Sequence, residues 1–181
     1  STSAPAAAER FLLARARQAP SDQEAARLDA LSASHPQQYL ELASLYARVN
    51  AWPDAAEILR LHVSAQEQRS KPVDPMVIYW LASAETRAGD PARARQTLGK
   101  ISAANRTPEI FPFRLEDLRV LEEITSQSPQ DDLAWQLLGS LRASFGQRQE
   151  AVAAWKRAVD LKPNDRIAQR LLGFGYHEWL A

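Results

Sequence analysis

Apolar side chains recur at three- and four-residue intervals along most of this chain, the spacing of one helical face, and breaks in the rhythm divide it into about ten helices. The rhythm is sharpest between Trp135 and Pro163. There Trp135, Leu138 and Gly139 fall on a first helix, Gly146 in a turn, and Ala151, Trp155 and Ala158 on a second. Two earlier stretches carry the same offsets: Tyr39, Leu42, Ala43, Tyr46, Asn50, Ala55 and Leu59, then Ile78, Leu81, Ala82, Glu85, Gly89, Ala94 and Leu98. The small residues Ala43, Ala82 and Gly139 allow the two helices of a pair to approach, and Ala55, Ala94 and Ala151 hold the second helix close to the first. Asn50, Gly89 and Gly146 stand where the turn calls for a left-handed backbone. Pro53 and Pro91 suit a first helical turn, where a missing N–H costs nothing.

Outside these pairs the pattern is looser. Residues 1–7 read as a disordered end, and a first helix is expected from Ala8 to Gln18, stopped by Pro20. Ser21-Asp22-Gln23-Glu24 has the spacing of a capping box, with Ser21 accepting from the N–H of Glu24 and Glu24 accepting in return from the N–H of Ser21. That helix runs to about Ser32. The interval from Ala55 to Ala94 is 39 residues and that from Ala94 to Ala151 is 57. The first excess lengthens a helix through Glu67 or enters the loop around Ser70-Lys71-Pro72. The second holds a loop over Ser102 to Pro112 and one more helix over Arg114 to Thr125, with Leu115, Leu118, Leu121 and Glu122 at helical spacing. Asp165 to Leu180 opens a further unit, in which Leu172, Gly173 and Tyr176 recur at the proper offsets. The expected organisation is a degenerate pair at 8–34, two regular pairs at 35–101, an insert with an extra helix at 102–130, the clearest repeat at 131–164 and a terminal helix at 165–181.

The offsets resemble those of the tetratricopeptide repeat, a helix-turn-helix unit with a period of about 34 residues. One such unit cannot bury its apolar face alone and must stack on neighbours. The resemblance therefore implies an all-α, right-handed helical-repeat solenoid that binds other proteins. A broader resemblance, over Gln37 to Trp179, rests on Ile78-Tyr79-Trp80-Leu81-Ala82, Phe111-Pro112-Phe113-Arg114-Leu115-Glu116, Val120-Leu121-Glu122, Trp155 and Arg170-Leu171-Leu172-Gly173 in that order. It is to the C-terminal helical tail of large bacterial proteins whose preceding part is a β-rich domain of uncharacterised function. It implies an accessory tail of a larger bacterial, carbohydrate-acting enzyme as an alternative role, and carries over no catalytic residue.

Composition narrows the field. The 22 basic and 22 acidic residues cancel, which counts against a nucleic-acid or anionic-membrane binder. Apolar residues at 45% and charged residues at 24% fit an ordinary globular chain. There is no cysteine, hence no disulfide, thiolate metal site or cysteine nucleophile. No apolar run approaches the roughly 20 residues of a membrane span. Ser1 reads as the start of a processed or trimmed chain, Met76 being the one methionine, so a removed targeting signal stays open. The expected setting is a bacterial cytoplasm or periplasm, with the compartment open.

Candidate chemistry is sparse. His35, His62 and His177 lie far apart, in a helix cap, a second helix and the last helix, and none has a metal-ligand spacing. The pairs Glu116/Asp117, Glu122/Glu123 and Asp131/Asp132 read as solvated or helix-start charges, because paired catalytic carboxylates need a shared cleft. Gly173-Phe174-Gly175 lies inside a helix and is no phosphate loop. Trp135, Trp155, Tyr39 and Tyr46 read as packing, while Phe111 and Phe113 lid a helix pair or anchor a partner. No enzyme activity, cofactor or metal is expected.

The surface expected to bind is the concave face, lined by the first helix of each pair. It projects Leu40, Ser44, Ala47 and Arg48, then Tyr79, Ser83, Thr86 and Arg87, then Gln136, Ser140, Ala143 and Ser144, and last Arg170, Phe174, His177 and Glu178. Lysine and asparagine, which grip C-terminal carboxylates in a subset of these proteins, are missing from such positions. Arginines with an aromatic suit an acidic or amphipathic protein segment instead. Phe174, Trp179 and Leu180 on the last helix offer a further expectation, a second copy of the chain held through that helix.

Overall fold

Prolines and short polar side chains decide where the helices begin. The computed structural model describes residues 3–32, 35–103 and 112–179. Among these it shows ten α-helices, one 3-10 turn and no strand. They are α1 Ala4–Ala16, α2 Asp22–Leu31, α3 Pro36–Arg48, α4 Trp52–Gln68, α5 Pro75–Arg87 and α6 Pro91–Leu98, then the turn Gly99–Ala103, then α7 Leu115–Gln127, α8 Asp132–Ser144, α9 Arg148–Leu161 and α10 Arg166–Trp179. The all-α class read from the sequence is what the structure shows. The chain divides into two compact units, Ser1–Asn105 and Arg106–Ala181.

In the first unit α1 packs on α2, α3 on α4, and α5 on both α4 and α6. His35, Asp74 and Asp90 precede Pro36, Pro75 and Pro91, and each accepts a backbone N–H of the first turn: Gln37 at 3.3 Å, Met76 at 2.7 Å and Arg93 at 3.0 Å. The proline fixes φ and loses no needed donor, while the cap satisfies one that is left over. Asn50 and Gly89 close the α3–α4 and α5–α6 turns at φ 58° and 89°, the left-handed backbone expected there. Helix α5 is the centre of this unit, buried at every residue from Pro75 to Glu85. Its sequence explains this: Met76 to Ala82 is apolar without a break, and a helix apolar on all sides is stable only inside.

Two expectations fail near the start. Helix α1 begins at Ala4 rather than Ala8, with Pro5 in its first turn and Ala7 and Ala8 fully buried, so residues 4–7 are part of the packed helix. The capping box at Ser21 does not form. Ser21 itself has helical backbone angles, which turn its hydroxyl away from the helix start, and no side-chain cap is made. Glu24 is instead taken by Arg10 of α1, Nε to Oε2 at 3.0 Å. Helix α4 runs through Gln68 and ends at Ser70 with φ 53°, which absorbs the first spacing excess by lengthening a helix. The expected loop over Ser102 to Pro112 opens inside the 3-10 turn, and its residues 104–111, with Phe111, lie outside the described residues.

The second unit is built around Trp155. Helices α7, α8, α9 and α10 pack in chain order. Only the return half of such a box occurs at α7, where Asp117 accepts from the N–H groups of Phe113 at 3.2 Å and Arg114 at 3.0 Å, while the Arg114 side chain, a donor only, can accept nothing in exchange. Gly139 of α8 meets the Trp155 indole so closely that a β-carbon there would lie 2.4 Å from Cδ1. Gly175 of α10 faces Val152 and the other edge of the same ring, and Trp179 stacks on it with centroids 5.7 Å apart.

A period of 34 residues is visible here as repeated hydrogen bonds. Asp131 accepts from Leu133 and Ala134, both at 3.1 Å, and Asp165 accepts from Ile167 and Ala168 at 2.9 and 3.1 Å. The Trp135 side chain donates to the carbonyl of Pro129, and the Gln169 side chain to that of Pro163. Each residue in the second set stands 34 positions after its counterpart in the first.

Candidate partner-binding surface

A shared repeat position ties each first helix to an earlier helix of its own unit. Tyr46 donates to Glu9 of α1 at 2.7 Å, Glu85 accepts from Arg60 of α4 at 3.0 Å, and Arg142 donates to Glu122 of α7 at 3.2 Å. Glu85 is fully buried and also accepts from Thr97 of α6 at 2.6 Å, so a charge inside the unit is held by partners on two sides. These links fix which faces of α3, α5 and α8 turn inwards.

Of the ten residues expected to contact a partner, six are buried: Leu40 and Ser44 of α3, Tyr79 and Ser83 of α5, Gln136 and Ser140 of α8. Leu40 and Tyr79 have no surface to offer, and both fill space an open groove would leave empty. The hydroxyls of Ser44 and Ser140 donate to carbonyls of their own helices, Glu41 at 2.8 Å and Gln136 at 3.1 Å. The other four, Arg48, Arg87, Arg170 and Phe174, are exposed. The signal for Tyr79 was present in the sequence as the unbroken apolar run around it.

Arg48 and Arg87 are the last residues of α3 and α5, which touch each other within the first unit. The Arg87 guanidinium lies over the Trp52 ring, 4.7 Å from its centroid. Val49, next to Arg48, is 72% exposed. Trp52 was not singled out by sequence because it lies outside the core offsets, as the first residue of α4. In the second unit Arg170 and Phe174 lie on the outward side of α10. Phe174 meets Trp179 edge-on at 5.3 Å. Trp179, expected to bind a second copy, is turned inwards on Trp155, and Leu180 lies outside the described residues.

The titratable cluster with the most catalytic look is closed. Tyr39 donates to Asp29 at 3.0 Å, Asp29 also pairs with Arg69, and the His62 ring lies 4.5 Å from that of Tyr39. Burial, with Asp29 adding its charge, pushes the Tyr39 hydroxyl well above its ordinary value. Burial likewise lowers His62 from 6.5 to about 4, so the ring is neutral at pH 7. Tyr39 and His62 are essentially inaccessible, and the cluster acts as a pin between α2, α3 and α4. A groove of about 220 Å³ beside α1, α2 and α4 has Arg15 and Arg60 both pairing with Glu57 on its wall. Among the described residues no helix is long and apolar enough to cross a membrane.

The hairpins, their left-handed turns and the 34-residue recurrence define an all-α protein of tetratricopeptide-like helical repeats. No family model and no curated protein matches the sequence. Solved structures similar to the chain include a crystal structure of MamA, at 17% identity and TM-score 0.38, covering 86% of this chain and 74% of that one. Another is MamA 41-end from Desulfovibrio magneticus RS-1, at 21% identity and TM-score 0.34, covering 78% and 84%. A third is YrrB, described as a TPR protein with an unusual peptide-binding site, at 16% identity and TM-score 0.34, covering 82% and 79%.

Proposed function

We propose that the protein is a non-catalytic interaction module that holds an acidic or amphipathic segment of a protein partner at the ends of α3 and α5. The observation that carries this is the pair Arg48 and Arg87, exposed at equivalent repeat positions 39 residues apart, with Trp52 and Val49 beside them. An arginine at a helix C-terminus is favoured by the helix dipole alone. The partly buried indole under one guanidinium and the exposed valine beside the other add apolar area that the dipole does not require. Together they match a ligand with carboxylates spaced along an apolar edge.

The test is capture of partners on immobilised protein, with the wild-type chain and the Arg48→Glu, Arg87→Glu double variant in parallel. Proteins held by the wild type and lost from the double variant, with its helicity retained and its melting temperature lowered only by the helix-end and arginine–indole contacts given up, support the reading. An identical set held by both chains removes the surface from consideration.

A further inference from the structure

Helix α2 is fastened to α3 and α4 through one carboxylate. Of its ten residues, Leu28 and Asp29 are the two that are buried. A helix of this length is marginal by itself and depends on what its buried side chains hold. Both oxygens of Asp29 are engaged: Oδ1 accepts from the Tyr39 hydroxyl of α3 at 3.0 Å, and Oδ2 pairs with the Arg69 guanidinium at the end of α4. The His62 ring of α4 lies against Tyr39, and its Nδ1 is buried with no hydrogen-bond partner among the described residues. Asp29 faces this ring from α2, Tyr39 and the preceding His35 from α3, and Arg69 from the end of α4 itself. Arg69 and His35 oppose a positive charge on the ring, and Asp29 favours one. While neutral, His62 makes no demand on Asp29. Once charged it is a donor at both nitrogens, in a place where an unpaired charge is costly, and the carboxylate beside it already serves two donors.

We propose that Asp29 and His62 form a proton-operated latch on α2. A proton on the His62 ring draws Asp29 away from Tyr39 and Arg69, and α2 leaves α3 and α4 while the rest of the unit stays folded. Helices α5 and α6 have no matching weakness. Their buried charge, Glu85, is held by Arg60 and Thr97 without a histidine, and of the three histidines in the chain His62 alone is buried. Tyr39 stands near the start of α3 and Arg48 at its end, so the latch is separate from the Arg48–Arg87 surface and stands or falls apart from it.

The chain has no cysteine, so a single introduced thiol reports on its own site. Ser32→Cys puts one, nearly isosteric, at the buried end of α2, and Ser83→Cys puts another in α5 as a reference. Each full chain is reacted with dithiodipyridine at pH 7 and pH 5, and each rate is divided by that of free cysteine at the same pH. With His62 at about 4 when closed and 6.5 when open, the Ser32→Cys rate is expected to rise about twentyfold from pH 7 to pH 5. Ser83→Cys should stay protected, and His62→Phe in the Ser32→Cys chain should remove the rise. Hydrogen exchange of residues 22–31 in the unmodified chain, corrected for its intrinsic pH dependence, must show the same acceleration and serves if Ser32→Cys fails to fold. No rise at α2, a parallel rise at both sites, or an undiminished rise in His62→Phe each overturns the proposal.

Discussion

Gly139 and Gly173 hold the same repeat position, and one substitution should move stability in opposite directions at the two. At Gly139 an alanine methyl would lie 2.4 Å from Trp155 Cδ1 and 3.0 Å from the carbonyl oxygen of Ala151, and backbone cannot yield as a side-chain tip can. Gly139→Ala is expected to cost about 1–3 kcal/mol, the range for overpacking a filled core. Gly173→Ala meets open space and should stabilise by up to about 1 kcal/mol, because alanine is the better helix former. Urea unfolding of both variants checks the pair; equal shifts would show that the two positions are not packed as described. His62 makes a second prediction. Its folded value near 4 lies below its ordinary 6.5, so the unfolded chain takes up a proton first as pH falls. The stability it supports is complete above pH 6.5 and is lost progressively towards pH 4, by about 3 kcal/mol in total. His62→Phe should flatten unfolding free energy over that window relative to wild type, and an unchanged slope would assign the acid sensitivity to other groups.

Helix by helix, the turns and caps were the most legible part of the sequence. Asn50, Gly89 and Gly146 take the left-handed backbone their offsets imply, and Pro53 and Pro91 start helices. These features are local, set by the backbone needs of one residue and its near neighbours. Removing one cap should therefore act locally: Asp131→Ala, which frees the N–H groups of Leu133 and Ala134, is expected to cost about 1 kcal/mol in thermal or urea unfolding. Where the reading failed, a distant partner decided the outcome. Glu24 had the spacing to return to Ser21, yet Arg10 on the neighbouring helix took its carboxylate. Leu40, Tyr79 and Ser83 had the offsets of an open groove, yet α3 and α5 bury the faces that carry them. Offsets along one helix specify direction; the bulk of surrounding side chains specifies whether that direction leads to solvent. Trp52 went unnoticed for the complementary reason, since its partner Arg87 lies 35 residues further on.

For the molecule as a whole, the functional account rests on the few groups that the hairpins leave outside after the repeat has satisfied its own core. In the first unit these are Arg48 and Arg87 with Val49 and Trp52; the buried carboxylates of the same unit, Glu85 and Asp29, are paired within the fold. Neither arginine belongs to those two internal pairs, so charge reversal leaves the buried carboxylates with their partners. The most direct measurement is the affinity of a captured partner for the wild-type chain and for Arg48→Glu, Arg87→Glu, with melting temperatures recorded alongside. The account predicts a loss of about a hundredfold or more with the helical fold retained, as expected when two charge-assisted contacts become repulsive, and a wild-type affinity that falls as salt is raised. Equal affinity for the two chains, with no dependence on salt, would contradict it.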